Sequence, residues 1–254
     1  MTRVSGIVVS HGHAGELETL LPVLAPQVDE LVVIANRAGS LPPTLPPSTR
    51  ALENARPLRL AQNVNLGTAA TSGDWVVFAN PDVVPEPNTV AALVAFGQSR
   101  ERCGLAGPRT TWPDGRWQPT RRRFPTVRGT VVRRTPLRHL HPPLEEQRGH
   151  YLLDEDVATP VEADWLLGAF LLMRRAMLDD LGGWDEGYRH YVEDIDLGYR
   201  AMRAGWERWY VPAAHVTHNW AQVIDRRFLS RHTLWHGRGM ARFVRKHPET
   251  LARL

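Results

Sequence analysis

Three short apolar runs constrain this chain more than anything else in it. Residues 4–9 (Val-Ser-Gly-Ile-Val-Val), 30–35 (Glu-Leu-Val-Val-Ile-Ala) and 75–79 (Trp-Val-Val-Phe-Ala) are β-branched or aromatic and almost free of polar alternation. Strands of that kind are buried on both faces, as in a parallel sheet. Between the first two runs, Glu16 to Leu24 places Leu17, Leu20, Leu21 and Leu24 on one helical face. Strand, helix and strand within about 30 residues form a βαβ unit, which implies a parallel sheet with helices packed on it.

The remaining elements follow the same logic. The proline-rich stretch 41–49 cannot be regular, and Leu58–Leu60 is expected as a short strand. Asn65-Leu66-Gly67 is read as a loop or turn. Asn80-Pro81-Asp82 ends the third apolar run in a turn, and Pro87–Phe96 follows as a helix. Residues 104–107 are a candidate strand, and Trp112–Trp117 a hairpin around Pro-Asp-Gly. Order resumes with a strand over Trp165–Met173 and a short helix over Arg174–Leu181, stopped by Gly182-Gly183. A helix over Glu193–Ala204, a strand over Trp206–Val211 and a helical stretch over 225–246 complete the chain. One α/β domain with a C-terminal appendage is expected.

Of 254 residues, 43% are hydrophobic and 23% charged, which excludes a disordered or coiled-coil chain. The longest clean apolar run, Trp165–Met173, is nine residues, too short to span a membrane. The N-terminus enters a strand at once, so no signal peptide is expected. Cys103 is the only cysteine, which excludes an internal disulfide and a multi-cysteine zinc site. A cytoplasmic location fits best.

Charge is uneven under a net +4. Residues 116–148 carry nine arginines against Glu145 and Glu146. Residues 222–254 carry seven arginines and Lys246, the single lysine, against Asp225 and Glu249. The rest is net acidic. Basic segments suit anionic partners such as lipid, diphosphates or nucleic acid, and equally a solvated surface from an arginine-rich genome.

Three clusters could carry chemistry. Asp82 follows a strand that should end at the ligand-binding rim of the sheet, where a carboxylate can hold Mg²⁺ or Mn²⁺ on a diphosphate; Asn-Pro-Asp also makes an ordinary turn. Glu193, Asp194 and Asp196 open a helix. Its dipole favours acids there, and a desolvated carboxylate beside another is also a candidate general base. His215 and His218 cannot share a strand face, so either one alone could complete a metal site.

Taken in order, the chain resembles family 2 glycosyltransferases of the GT-A fold, in particular rhamnosyltransferase-like members. The resemblance rests on Val4–Gly12, Asp29–Asn36, Asn65-Leu66-Gly67, Val76–Pro85, Arg122–Thr126 and, most specifically, Ala163–His218. It implies a Rossmann-like, mostly parallel sheet flanked by helices, with a C-terminal helical appendage. The catalytic domain would cover 1–220, with a donor half at about 1–110, an acceptor half at about 160–220 and a basic excursion at about 116–156; a basic helix would fill 221–254.

The implied activity is inverting transfer of a sugar, rhamnose or another deoxyhexose, from a nucleotide-diphosphate sugar to a hydroxyl of a glycan, lipid-linked or small-molecule acceptor. The resemblance makes Asp194 the base and Asp82 and His218 the metal ligands. Ser10, His11, Gly12, Asn36, Asn65, Gly67 and Asn80 fall on the donor side, and Trp165, Gly168 and Glu193 on the acceptor side. Ala35 replaces a pyrimidine-contacting acid, His11 replaces an aromatic residue, and the stretch from Gly67 to Trp75 is short, removing most of a helix beside the donor. Peripheral contact with an anionic membrane is expected, and nucleic acid is not. The competing classes are a metal-dependent nucleotidyltransferase, which would need a glycine-rich phosphate loop absent here, and a non-catalytic nucleic-acid binder, which would leave the acids near Asp194 unexplained.

Overall fold

The computed structural model describes residues 2–125, 152, 156–219 and 231–253. Four parallel strands form one half of the main sheet: β1 (Val4–Ser10), β2 (Glu30–Ala35), β3 (Thr49–Glu53) and β4 (Trp75–Ala79). The full order is β3-β2-β1-β4-β11-β6-β12-β5. Here β5 is Val83–Pro85, β6 Cys103–Thr111, β11 Phe170–Arg174 and β12 Glu207–His218. Strand β11 runs antiparallel to both β4 and β6, whereas β12 is parallel to β6. Short strands β7 (Trp117–Gln118) and β9 (Val161–Glu162) pair with β6 and β12, and β8 (Arg121–Arg122) pairs with β10 (Trp165–Leu166) in a separate ribbon.

The apolar runs are uninterrupted because each face of the sheet is covered. Val8, Leu31, Val33, Val77 and Ala79 point into one core with helices α1 (Ala14–Leu24) and α3 (Thr89–Gln98). Their neighbours Ile7, Val9, Val32, Ile34, Val76 and Phe78 point into the other. That second core contains α2 (Leu60–Ala69), α4 (Arg175–Leu181) and α5 (Glu193–Arg203). The period-two split places every second side chain on the opposite layer, so the inner strands are almost wholly apolar, and buried Ser5 is accommodated by hydrogen bonds to Glu30 and from Gly73 N–H.

Several expectations change. Leu58–Leu60 is not a strand: Leu60 starts α2, and Asn65-Leu66-Gly67 lies inside that helix. Gly67 lets α2 close on β1, since a Cβ there would stand 2.6 Å from Ile7 Cγ2. Trp165–Met173 is two strands, β10 and β11, separated by a turn at 167–169. The strand beginning near Trp206 runs on to His218, past a register shift between Val211 and His215 that accommodates Pro212. Most of the basic excursion, 126–151 and 153–155, lies outside the described residues, as do 220–230.

The C-terminal helix α6 (Arg231–Lys246) is packed on α5 rather than projecting from the domain. Phe243 is buried with Tyr188, Tyr199 and Val192. A charged latch fastens its end. Asp196, fully buried, accepts from Arg200 Nε at 2.7 Å and Lys246 Nζ at 2.9 Å and pairs with His247 Nε2 at 2.8 Å. Lys246 also reaches Asp185 at 2.7 Å, which Arg242 contacts at 2.8 Å. The His247 hydrogen bond and the Arg200 and Lys246 cations hold the Asp196 carboxyl far below the usual carboxylate range despite its burial.

Candidate active site

The carboxyl ends of the strands open into a cleft of about 1220 Å³. It gathers Asp82, His218, Asn80, His11 and Asn36 from one side of the chain's fold, and Trp165, Gly168, Glu193 and Asp194 from the other. Binding at this rim is the rule for open α/β sheets.

The Asp82 side is built by strand pairing. Asn80 leaves β4 with its N–H donated to Ala169 O at 2.8 Å, and the chain turns directly into β5. In the antiparallel β12–β5 pair, His218 lies opposite Val83, so its ring arrives beside Asp82. His218 Nε2 stands 3.5 Å from Asp82 Oδ1, and Nδ1 is 3.1 Å from Gln118 Oε1. With Nδ1–H donated to Gln118, the Nε2 lone pair and the carboxylate face the same spot. That donor set fits a divalent cation that takes its remaining ligands from a diphosphate and water. Among the described residues no group of three His, Cys, Asp or Glu side chains could hold a metal by itself.

The opposite side is the N-terminus of α5. Tyr191 and Val192 both adopt left-handed backbone, at φ 70 and 74, and swing the helix start into the cleft. Consecutive left-handed non-glycine residues, one β-branched, store strain. Gly239 of α6 backs this turn, with room for no Cβ: one would meet Val192 Cγ2 at 2.9 Å and Tyr191 O at 3.2 Å.

Half-buried Asp194 accepts from Gly168 N–H at 3.1 Å through Oδ2 and from Ile195 N–H at 2.9 Å through Oδ1. Gly168 lies in the turn between β10 and β11, where a Cβ would crowd Asp194 Cβ at 3.3 Å. Burial raises the affinity of Asp194 for a proton, while those two N–H groups and Arg122 favour its charged form. For Glu193 burial, then the charge of Asp194, outweighs the backbone hydrogen bonds from Glu193 and Tyr191 and pushes it up to about 8. Burial thus raises the proton affinity of both carboxyls, and the N–H groups of Gly168 and Ile195 with Arg122 favour the charged form of Asp194.

Four sequence candidates do not line the cleft. Ser10 Oγ donates to Ser40 O at 2.7 Å, and Gly12 N–H to Ser40 Oγ at 2.8 Å, fixing the turn after β1. Asn65 ties α2 to the turn at 183–186, accepting from Trp184 N–H at 2.8 Å and donating to Trp184 O at 2.9 Å. Gly67 packs on Ile7. Asn36 lines the cleft but spends its amide on Leu58, accepting from its N–H at 2.7 Å and donating to its O at 2.9 Å. Trp165 is buried and donates its indole N–H to Arg123 O at 2.9 Å, so it forms a wall rather than a free platform.

The sequence alone assigned no role to Arg59, Arg189 or Trp235, which also line the cleft, and it used Arg122 only as part of the Arg122–Thr126 stretch. Arg122 stands in a run of three arginines, indistinguishable in sequence from a solvated basic patch; the structure buries it and places its charge where Asp194 feels it.

Comparison with known proteins gives the family and the fold. The sequence model of a family described as "Glycosyltransferase like family 2" matches residues 46–234, and the chain belongs to that family, which makes it a glycosyltransferase by class. The N-acetylglucosaminyl-diphospho-decaprenol L-rhamnosyltransferase of Mycobacterium tuberculosis is 33% identical over 247 residues, covering 89% of this chain and 79% of the relative. Rhamnosyltransferase WbbL of Escherichia coli K12 is 24% identical, over 94% of this chain and 91% of the relative.

Among solved structures, GalNAc-T7 with UDP, GalNAc and Mn²⁺ superposes with TM-score 0.61 at 16% identity. The Pyrobaculum calidifontis mannosyltransferase PcManGT with GDP-Man and Mn²⁺ superposes with TM-score 0.58 at 15%. This chain covers 44% and 58% of their lengths, and 86% and 87% of it is matched. They show the fold, which is GT-A.

Proposed function

We propose that the chain transfers rhamnose, with inversion, from a nucleotide-diphosphate sugar to a hydroxyl of a glycan carried on a lipid. The sugar and acceptor are supported by the names of the two curated relatives. The observation that carries the reaction is that Asp82 and Asp194 line one cleft from opposite walls.

Asp82 and His218 would hold Mg²⁺ or Mn²⁺, which when bound neutralises charge on the departing diphosphate. Asp194 takes the proton of the acceptor hydroxyl as that oxygen attacks the anomeric carbon; the bond from carbon to the phosphate oxygen breaks, and its electron pair leaves with the diphosphate. Gly168 N–H and Ile195 N–H hold the Asp194 carboxylate in one orientation. Protonated Glu193 keeps a second negative charge out of the site.

Peripheral contact with an anionic membrane on the cytoplasmic side belongs to the same reading. Arg231, Arg238 and Arg245 recur every seven residues on the exposed face of α6, with Leu234 among them. No helix among the described residues is long and apolar enough to cross a membrane.

The experiment is Asp194→Asn, assayed against a panel of nucleotide sugars with Mn²⁺. Turnover should fall by about 10²–10⁴-fold while nucleotide-sugar binding, read by thermal shift, persists. Retention of more than about a tenth of wild-type turnover refutes the base assignment.

A further inference from the structure

Gln118 does not line the cleft but stands directly behind it, 1% exposed. Burying a primary amide is costly unless it is hydrogen-bonded. Strand β7 sets its position. Gln118 pairs with Thr110 of β6, and Thr110 with Val216 of β12. Paired residues share a face of the sheet, as do residues two apart on a strand, so Gln118 and His218 stand on the same face across β6. Gln118 Oε1 lies 3.1 Å from His218 Nδ1, and among the described residues its Nε2 has no partner. The side chain thus commits its oxygen to one histidine and gains nothing else for its burial.

A neutral imidazole carries one N–H, and the partner of one ring nitrogen decides the role of the other. An amide oxygen can only accept. Set against Nδ1, it requires the proton there and leaves Nε2 with a lone pair. Nε2 is the nitrogen turned toward Asp82, 3.5 Å from Oδ1. A proton on Nε2 would point at that carboxylate and would have to leave before a cation could bind there. We propose that Gln118 is a positioning residue for the cation site: its Oε1 fixes His218 as the Nδ1–H tautomer and so presents Nε2 as a ready ligand. This rests on the reading that Asp82 and His218 hold a divalent cation, and it adds the residue that selects the ligating nitrogen. The partner of the outer nitrogen of a ligating histidine is worth about 10–100-fold in metal affinity.

Two measurements test it. The first needs no metal: long-range ¹⁵N–¹H correlation spectra of protein labelled with ¹⁵N-histidine, at about pH 8, where an ordinary imidazole is neutral. The His218 signal is identified by its loss in His218→Asn. Wild type should show His218 protonated at Nδ1, and Gln118→Leu should lose that preference. The second is Mn²⁺ titration followed by electron paramagnetic resonance. Gln118→Leu should bind Mn²⁺ about 10–100-fold more weakly, whereas Gln118→Glu, which keeps an acceptor oxygen behind the ring, should stay within about threefold of wild type. His218 protonated at Nε2 in metal-free wild type overturns the proposal. So does unchanged Mn²⁺ affinity in Gln118→Leu, or an equal loss in the leucine and glutamate variants, which would make the residue a matter of packing alone. Where Gln118→Leu does not fold, the wild-type tautomer and the glutamate variant still decide. Asp82→Ala that binds Mn²⁺ as tightly as wild type overturns the metal reading itself, a result separate from the tautomer, which is read without metal.

Discussion

Glu193→Gln separates the two carboxyl groups of the candidate base pair. Glu193 is 5% exposed, its Oε2 has no hydrogen-bond partner among the described residues, and His190 Nδ1 is 4.0 Å from Oε1. Burial, followed by the charge of Asp194, pushes its pKa from 4.5 up to about 8. The folded protein therefore holds this proton more tightly than the unfolded chain does. Stability from this group is complete below pH 4.5, declines as pH rises toward 8, and is level above that. A shift of this size corresponds to on the order of 4 kcal/mol across that window. Glutamine keeps the shape and removes the titration.

Thermal unfolding of both proteins from pH 5 to pH 9 should give curves that diverge, the variant gaining about 8 °C relative to wild type by pH 8.5. Turnover at pH 7 should stay within about threefold of wild type, because glutamine mimics the protonated acid already present. Parallel melting curves would refute the burial argument. A fall in turnover of about 100-fold or more would make ionised Glu193, not Asp194, the base.

Asp82→Ala should weaken nucleotide-sugar binding in Mn²⁺ but not in EDTA; equal calorimetric affinity in wild type and variant with Mn²⁺ counts against the metal role. Gly239→Ala should destabilise by about 1–3 kcal/mol and lower turnover, because the added methyl presses on Val192 and Tyr191 O. Gly237→Ala, which meets nothing within 4 Å, should instead be neutral or gain up to about 1 kcal/mol in denaturant melts. Arg238→Glu/Arg245→Glu should abolish low-salt pelleting with phosphatidylglycerol vesicles and leave transfer to a soluble acceptor unchanged; undiminished pelleting sinks the membrane contact.

The central strands β1, β2, β4 and β11 were legible because they are buried on both faces, so hydrophobicity alone marks them, whereas the edge strand β3, polar and only partly buried, left no such mark. The Asn80–Asp82 turn and the Glu193–Asp194 helix start were legible for a related reason: each carboxylate sits at an element boundary. Helix α2 was not. Asn65 and Gly67 read as breakers, yet Asn65 is used on the turn at 183–186 and Gly67 on Ile7, contacts with no trace in local pattern. The turn dividing β10 from β11 hides in an apolar run, because Gly168 is there for Asp194, which comes later in the chain. The role of α6 depends on pairs such as Asp196–Lys246, where sequence shows only an acid in a helix and a base near the end.

The latch has a practical side. The only ε-amine in the molecule, that of Lys246, is also the pin between Asp185 and Asp196. A succinimidyl ester or an aldehyde that reaches it cancels the cation facing two carboxylates and loosens the helix that backs the Tyr191–Val192 turn. Cys103 offers no substitute, being fully buried with its thiol pushed up to about 12. Dyes, tags and supports are better joined through an engineered thiol at an open position such as Gly237.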